Sequence, residues 1–323
     1  PFGASWFQVD DGWQLARGDW QWRPSAFPGG GAWMASAITG TGLRPGLWLA
    51  PLIAAPGSAL AAAHPEWLMP KEDGIIGAFA LDRQALDPSN PAVLAFLGDL
   101  FASLGAEGWR WAKVDFAYYA LLGQPQHDAS LTNVEAYRQA WQTIRAALGP
   151  NVFLLGVGTM GTLAGIVDGM RLTLDNGPRW DEDSADDVFG TPRAFKATVR
   201  TGARRWYYQN RLWVNHDDLL FFRSWPDATY APLSFEEART FATFLGLMGS
   251  VVKVGDKLVD MAPSSLDVVR RLLPAWPEGA RPLDVLLRDY PEQYRLHVVA
   301  PAGEWDIVGL INWGANRDHT ENP

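Results

Sequence analysis

The stretch WAKVD at residues 111–115 decides how the rest of the sequence is interpreted. It is a short, mostly apolar run that ends in a carboxylate, and such a run predicts a buried strand of a parallel sheet. Because side chains alternate along a strand, Lys113 and Asp115 are expected on the same face. Helical stretches flank the run at residues 91–104 and 133–148, and this alternation predicts repeated βα units.

The same alternation extends over most of the chain, with a further helix predicted at residues 235–247. The predicted strands are residues 6–9, 46–50, 111–115, 152–157, 170–174, 212–215 and 251–254. Seven strands do not close the usual eight-stranded barrel. We therefore expect an α/β fold, a (β/α)8 TIM barrel whose first strand is missing from this chain. The alternative is that one strand escapes detection in the sequence.

The pattern changes from about Arg281, where short alternating segments begin. The segments at residues 284–288, 294–299 and 305–311 predict antiparallel strands. We expect the barrel to occupy residues 1–278 and residues 279–323 to begin a C-terminal β-sandwich domain. The abrupt beginning and end of the sequence lead us to expect a piece of a longer protein.

Composition argues against several classes of protein. The 323 residues carry a formal net charge of −9 without a basic cluster, and nucleic-acid binding needs clustered Lys and Arg. No apolar run reaches the roughly 18 residues of a membrane span, so we expect no membrane partner. The absence of cysteine excludes disulfides and fits a reducing, cytoplasmic location. The five histidines show no ligand spacing, so we expect no metal and no cofactor.

In a barrel of this type the active site lies at the C-terminal ends of the strands. The residues expected there are Asp10, Asp11, Trp48, Asp115, Gly156, Asp175 and Asn215. Two carboxylates in different surroundings can cleave a glycosidic bond, one by attacking the anomeric carbon and one by protonating the leaving oxygen. Lys113 favours the charged form of Asp115. Arg171 would bind a substrate hydroxyl or hold Asp175.

Structural interpretations of the same residues stay open at this point. Lys113 and Asp115 would form an ion pair inside the barrel. Asp10 and Asp11 would form a turn and a helix cap. Arg171 would pair with a carboxylate of the acidic loop that follows.

Several motifs together resemble a known family. FQVDDGWQ at residues 7–14, GLRPGLW at 42–48 and LDPSNP at 86–91 are similar to the second strand, the third strand and a helix entry of family 36 glycoside hydrolases, the α-galactosidase clan. The most specific matches are KVDF at 113–116 and VDGMR at 167–171 with Asp175. The resemblance covers nearly the whole chain.

The resemblance implies roles for individual residues. Asp115 would be the nucleophile and Asp175 the general acid/base. The substrate-binding residues that it implies are Asp10, Asp11, Trp48, Lys113, Arg171, Gly156 and Gly158. Two stretches depart from the family pattern: LGVG at 155–158, where relatives often carry a cysteine, and NHDD at 215–218, where they carry Asn-Asp-Pro-Asp.

The resemblance implies a retaining α-galactosidase that hydrolyses terminal α-galactosyl residues of oligosaccharides through a covalent galactosyl-enzyme intermediate. A retaining enzyme needs its two carboxyl groups about 5 Å apart. The alternatives are a transglycosidase of the raffinose or stachyose synthase type, an α-N-acetylgalactosaminidase, or an inactive sugar-binding fragment. The expected partner is an α-galactoside oligosaccharide, and the sequence is compatible with a homo-oligomer.

Overall fold

The computed structural model describes residues 3–70, 83–158, 161–181, 194–223 and 232–314. Among these residues it contains fourteen strands and eight α-helices. The strands are β1 (Trp6–Val9), β2 (Gln14–Ala16), β3 (Asp19–Trp22), β4 (Arg44–Leu49), β5 (Ile53–Ala54), β6 (Gln84–Ala85), β7 (Trp111–Val114), β8 (Phe153–Val157), β9 (Gly169–Arg171), β10 (Val214–Leu220), β11 (Val251–Val254), β12 (Arg281–Pro282), β13 (Gln293–Ala300) and β14 (Gly303–Leu310). The helices are α1 (Gly30–Gly40), α2 (Ala59–Ala63), α3 (Pro91–Glu107), α4 (Tyr119–Leu122), α5 (Asn133–Leu148), α6 (Phe195–Arg204), α7 (Phe235–Met248) and α8 (Pro263–Leu272).

The chain divides into two compact units, the first Ala4–Met170 and the second beginning at Arg171. In the first unit β1, β4, β7 and β8 pair in this order, and every pairing is parallel. The Asp168 amide, just before β9, donates to the Leu154 carbonyl of β8 at 2.9 Å. The predicted α/β fold with parallel strands is confirmed. The eight-stranded barrel and its missing first strand stay predictions.

The register of these strands brings the chemically active side chains to one face. Trp48 of β4 pairs with Lys113 of β7, and paired residues in neighbouring parallel strands point to the same side. Asp115 lies two residues after Lys113 and shares its face. Val9 pairs with Leu47, so Asp10 lies level with Trp48.

Polar caps fix the ends of the helices around β7. The Asn90 side chain accepts a backbone N–H at the start of α3, and Pro91 occupies the first helical position. Thr132 and Glu135 form a capping box at the start of α5. Gly108 ends α3 with a φ of +98°, which residues with a Cβ rarely adopt. The sequence offers Asn90 or Ser89 as the cap of α3 and Thr132 or Asn133 as the cap of α5, and in the structure the caps are Asn90 and Thr132.

In the second unit β10 and β11 pair in parallel. The Leu172 amide, just after β9, donates to the His216 carbonyl of β10 at 2.9 Å, which continues the same parallel arrangement. With the strands of the first unit, the described residues contain seven parallel strands, and each overlaps one of the seven predicted strands, although several bounds differ.

An antiparallel sheet of β12, β13 and β14 completes the second unit. It shares a hydrophobic core with α6 and α7. The rings of Phe195 and Phe241 stack at 4.0 Å, and Phe244 meets Tyr294 of β13 edge-on at 6.1 Å. The antiparallel strands expected after Arg281 are therefore present, while the domain boundary at residue 279 stays a prediction.

The strand predicted at residues 284–288 is wrong, because this segment forms a turn. The Asp284 carbonyl accepts the amides of Leu287 at 2.9 Å and Arg288 at 3.0 Å. Its carboxylate accepts the amides of Glu292 at 3.0 Å and Gln293 at 3.2 Å. Leu287 is 86% exposed, so the apolar residues that suggested a strand do not enter the core.

The strand predicted at residues 212–215 begins late and extends further than expected. β10 runs from Val214 to Leu220, so the polar residues 215–218 lie inside the strand and not at its carboxyl end. All four are buried. The Asn215 side-chain oxygen accepts the Trp213 indole N–H at 3.1 Å, and the Asn215 backbone N–H donates to the Gln209 side chain at 2.7 Å. These side-chain partners allow polar residues in a buried strand.

Asp217 is the most deeply buried carboxylate of that stretch. Its side chain faces α6, where Gly202 leaves no room for a Cβ beside the carboxylate. Burial raises the pKa of Asp217 to about 7, while the Ser250 hydroxyl and the Arg205 guanidinium act in the opposite direction. The folded protein therefore holds a carboxyl group that is protonated at mildly acidic pH.

This burial predicts a pH-dependent stability. In the unfolded chain Asp217 ionises near its ordinary pKa of 3.8, so the folded state binds the proton more tightly. The free energy of unfolding should then fall as pH rises from about 4 to about 7, by up to about 1.4 kcal/mol per pH unit. Asp217→Asn should remove this contribution in urea unfolding measured across the window. Asp99→Asn, on the exposed side of α3, is the control, and identical slopes in wild type and Asp217→Asn would contradict the prediction.

Candidate active site

Asp115 follows β7 directly, and both of its carboxylate oxygens are held. Oδ2 accepts the Trp48 indole N–H at 3.1 Å, and Oδ1 accepts the Phe116 backbone N–H at 2.8 Å. The Asp115 amide donates to the Leu49 carbonyl at 2.8 Å, which extends the pairing with β4 by one residue. The side chain is buried. Strand pairing and two donors therefore fix the direction of this carboxylate.

The ammonium of Lys113 lies between two carboxylates. Its Nζ is 3.2 Å from Asp10 Oδ2 and 4.0 Å from Asp115 Oδ2. Lys113 is buried, and a buried charge is stable only beside opposite charge or hydrogen-bond partners. The ammonium thus joins the end of β1 to the end of β7, and the ion pair considered from the sequence is present.

Asp10 and Asp11 form a turn after β1. Asp10 Oδ1 accepts the Asp11 amide at 3.0 Å, and its Oδ2 accepts the Gln8 side chain at 2.6 Å. Asp11 accepts the Gln14 side chain at 2.7 Å and pairs with Arg17 at 2.8 Å. The two aspartate side chains stay 44% and 38% exposed, so their carboxylates are oriented by neighbours and still accessible to a ligand.

Aromatic side chains surround Trp48, which is almost completely buried. The Trp13 indole N–H donates to the Trp48 carbonyl at 2.8 Å. The rings of Trp20 and Phe116 meet the Trp48 ring edge-on at 6.2 and 6.3 Å. These contacts hold the indole plane in one orientation.

Phe116 carries a backbone conformation unusual for a bulky residue. Its φ of +50° lies in the left-handed region, where such residues are strained. The guanidinium groups of Arg17 and Arg83 lie 5.4 and 4.4 Å from its ring centroid. Sequence reasoning missed both arginines, because no motif distinguishes an isolated arginine in a loop.

Asp87 fastens the loop that follows α4. Its Oδ1 accepts the Ser89 amide and hydroxyl, and its Oδ2 accepts the amides of Gln126 at 2.9 Å and His127 at 2.8 Å. The carboxylate is buried. The motif at residues 86–91 predicted only a helix entry. In the structure its Asp87 also binds the loop beyond Asp115 to this entry.

The two predicted substrate-binding glycines lie in β8 and directly after it. Gly156 pairs with Val114, which places it on the face opposite Lys113. A Cβ on Gly156 would meet Met170 and Leu163. Gly158 follows β8 with a φ of +82°, and a Cβ there would meet the Tyr118 ring at 3.1 Å. Their roles in substrate binding stay predictions.

In the second unit Arg171 ends β9 and pairs with two carboxylates. It forms an ion pair with Asp175, and its Nη1 lies 3.7 Å from Asp218 Oδ1. Asp218 adopts a φ of +63°, and its Oδ2 accepts the Asn176 amide at 2.6 Å. Asp175 is 49% exposed and Arg171 is buried. Arg171 therefore holds Asp175 from one side and leaves the carboxylate accessible to a ligand.

Three further features concern the acidic loop, metal binding and membrane spans. Residues 182–193 of the acidic loop lie outside the described part of the chain. In the described part, no three His, Asp or Glu side chains are grouped so that they could hold a metal ion. No helix there combines the length and apolar character needed to cross a membrane. Asp218 was missed as a neighbour of Arg171, although the departure at residues 215–218 drew attention to that strand.

Comparison with known proteins gives concordant results. Residues 1–121 match the family model described as Melibiase. The structure is similar to TtGalA, an α-galactosidase from Thermus thermophilus solved in complex with stachyose, with 27% identity and a TM-score of 0.70. The match covers 84% of this chain and 58% of that one.

The chain resembles the α-galactosidase clan of glycoside hydrolases. The predicted resemblance is confirmed. The structure is also similar to an α-galactosidase from Lactobacillus brevis, with 18% identity and a TM-score of 0.62. That match covers 93% of this chain and 41% of that one. The family 36 α-galactosidase AgaA from Geobacillus stearothermophilus, in complex with raffinose, has 15% identity and a TM-score of 0.58, and the match covers 93% of this chain and 40% of that one. At these lower identities the similarity concerns the fold.

The Asp87 contacts predict a local effect of substitution. Asp87→Asn replaces one acceptor oxygen with an NH2 group, so at least one pair of hydrogen bonds to the charged carboxylate is lost. Amide hydrogen exchange at residues 124–128 should accelerate at least about tenfold, the effect of one such bond. Asp128→Asn is the control, because this exposed carboxylate accepts the amide and hydroxyl of Ser130 and its replacement leaves the Asp87 contacts in place. Unchanged exchange in Asp87→Asn would refute the tethering role.

Proposed function

We propose that this protein is a retaining α-galactosidase that hydrolyses terminal α-galactosyl residues of oligosaccharides. The observation that carries the proposal is the carboxylate of Asp115, held at the end of β7 by two donors and accompanied by the Lys113 ammonium. A nucleophile needs a fixed direction toward the reacting carbon, and this arrangement provides it.

Asp175 is proposed as the general acid/base. Arg171 holds this carboxylate, and half of its surface remains accessible, as proton transfer to a leaving group requires. In the first step Asp115 forms a bond to the anomeric carbon while Asp175 gives its proton to the leaving oxygen. In the second step Asp175 takes a proton from water, which displaces Asp115 from the sugar.

Asp10 and Asp11 are proposed to bind hydroxyl groups of the galactosyl residue. Both carboxylates are oriented by neighbouring side chains and both remain partly exposed. Carboxylates that accept hydrogen bonds in a fixed direction select sugars by the position of their hydroxyl groups. Lys113 and Trp48 are proposed to line the same site, since both contact Asp115.

The similarity to TtGalA supports the α-galactoside substrate class. That protein has been solved with stachyose and, in a second structure, with p-nitrophenyl α-D-galactopyranoside. This chain spans 58% of its length. Hydrolysis and transfer to an acceptor sugar use the same two carboxylates, so the product ratio at increasing acceptor concentration separates a hydrolase from a transglycosidase.

Replacement of the proposed nucleophile tests the assignment directly. Asp115→Ala should abolish hydrolysis of p-nitrophenyl α-galactoside, with the far-UV circular dichroism spectrum unchanged, because no other group forms the intermediate. Asp99→Ala, on the exposed side of α3, is the matched control and should keep wild-type activity. Near-normal turnover by Asp115→Ala would remove the assignment.

Replacement of the proposed acid/base should depend on the leaving group. For Asp175→Ala we expect about a 10²–10⁴-fold loss with a raffinose-type oligosaccharide, the usual contribution of a general acid. With p-nitrophenyl α-galactoside the rate of the first step should fall much less, because p-nitrophenolate leaves without protonation. Azide should restore turnover and yield a galactosyl azide. Equal losses with both substrates and no azide effect would exclude this role for Asp175.

A further inference from the structure

The indole N–H of Trp48 points at the reactive group of the proposed nucleophile. It donates to Asp115 Oδ2 at 3.1 Å in a buried environment. Oδ1 is already bonded to the Phe116 amide at 2.8 Å. Each carboxylate oxygen therefore has its own donor. One donor is a backbone N–H, and the other is the indole N–H of a side chain.

The surroundings of Trp48 fix this N–H in place. Its backbone carbonyl accepts the Trp13 indole N–H at 2.8 Å, and β4 pairs with β1 and β7 on its two sides. The rings of Trp20 and Phe116 pack edge-on against its ring. An indole held on all sides cannot rotate freely, so the hydrogen bond is preorganised.

We propose that Trp48 is a positioning residue which orients Asp115 for attack and stabilises its carboxylate when the intermediate breaks down; the inference rests on the proposed function. In the first step the carboxylate charge is lost as an ester bond forms to the sugar. In the second step this bond breaks, its electron pair returns to Asp115, and water supplies the new bond to the anomeric carbon. A donor aimed at the carboxylate stabilises the charge that returns.

Other charged groups near Asp115 are accounted for. Lys113 lies 4.0 Å from Oδ2 and is shared with Asp10. Arg17 and Arg83 lie against the Phe116 ring. These charges stabilise the carboxylate in the ground state and in the transition state alike. Removal of the indole N–H alone leaves all three charges unchanged.

The experiment removes the N–H and keeps the ring. Trp48 is replaced by its benzothiophene analogue, which has the shape of indole and no N–H, and in parallel by Trp48→Phe. The matched control is the same benzothiophene replacement at Trp20, which keeps the ring that packs against Trp48. The indole N–H of Trp20 is buried and has no hydrogen-bond partner among the described residues.

With p-nitrophenyl α-galactoside, kcat of both Trp48 variants should fall at least about tenfold, the effect of one hydrogen bond to a charged group. The apparent KM should fall with it, because slow breakdown lets the covalent intermediate accumulate. Intact-protein mass spectrometry should detect this galactosyl adduct. The galactose affinity of the Trp48 benzothiophene variant should stay within about twofold of wild type, and so should the kcat of the Trp20 benzothiophene variant.

Two outcomes would overturn the inference. One is an unchanged kcat in the benzothiophene variant without accumulation of the adduct. The other is an equal loss of kcat in the Trp20 benzothiophene variant, which would assign the effect to the exchange of an aromatic ring in this cluster and not to the Trp48 hydrogen bond. If the wild type is active, either result contradicts the role of Trp48 and leaves the proposed α-galactosidase function in place. A wild type that cleaves no α-galactoside contradicts the proposed function itself.

Discussion

The buried ammonium of Lys113 is the interaction on which the arrangement of the candidate site depends. It lies between two carboxylates that come from different strands, Asp10 after β1 and Asp115 after β7. Without a cation between them, two such carboxylates would repel each other in a poorly solvated environment. Parallel pairing of β1, β4 and β7 brings the three groups to one edge, and the shared charge makes that arrangement stable.

Strand alternation explains why much of the site was predictable from the sequence. Lys113 and Asp115 differ by two positions in an apolar run, so their shared face follows from the geometry of a strand. Asn90 and Thr132 were predictable as caps because few residue types satisfy a helix N-terminus. The family resemblance then assigned roles to Asp115 and Asp175 that alternation alone could not.

The missed features depend on contacts between distant segments. Arg83 reaches the Phe116 ring from a segment over thirty residues away by number, and no local pattern encodes that approach. At residues 284–288, apolar spacing suggested a strand, but the carboxylate and carbonyl of Asp284 bind four backbone amides and fold the segment into a turn. Residues 215–218 looked like a strand end because they are polar, although partners inside the core satisfy them.

The Asp87 tether has a consequence for the order of folding. Its bonds to Gln126 and His127 join residues 39 and 40 positions apart, and the intervening chain contains α3 and β7. Closing a loop of this length early would cost conformational entropy before other contacts have formed to offset the loss. The tether should therefore form late, after α3 has packed and β7 has joined its neighbours. The loop beyond Asp115 then reaches its final position only in molecules whose first unit is already assembled.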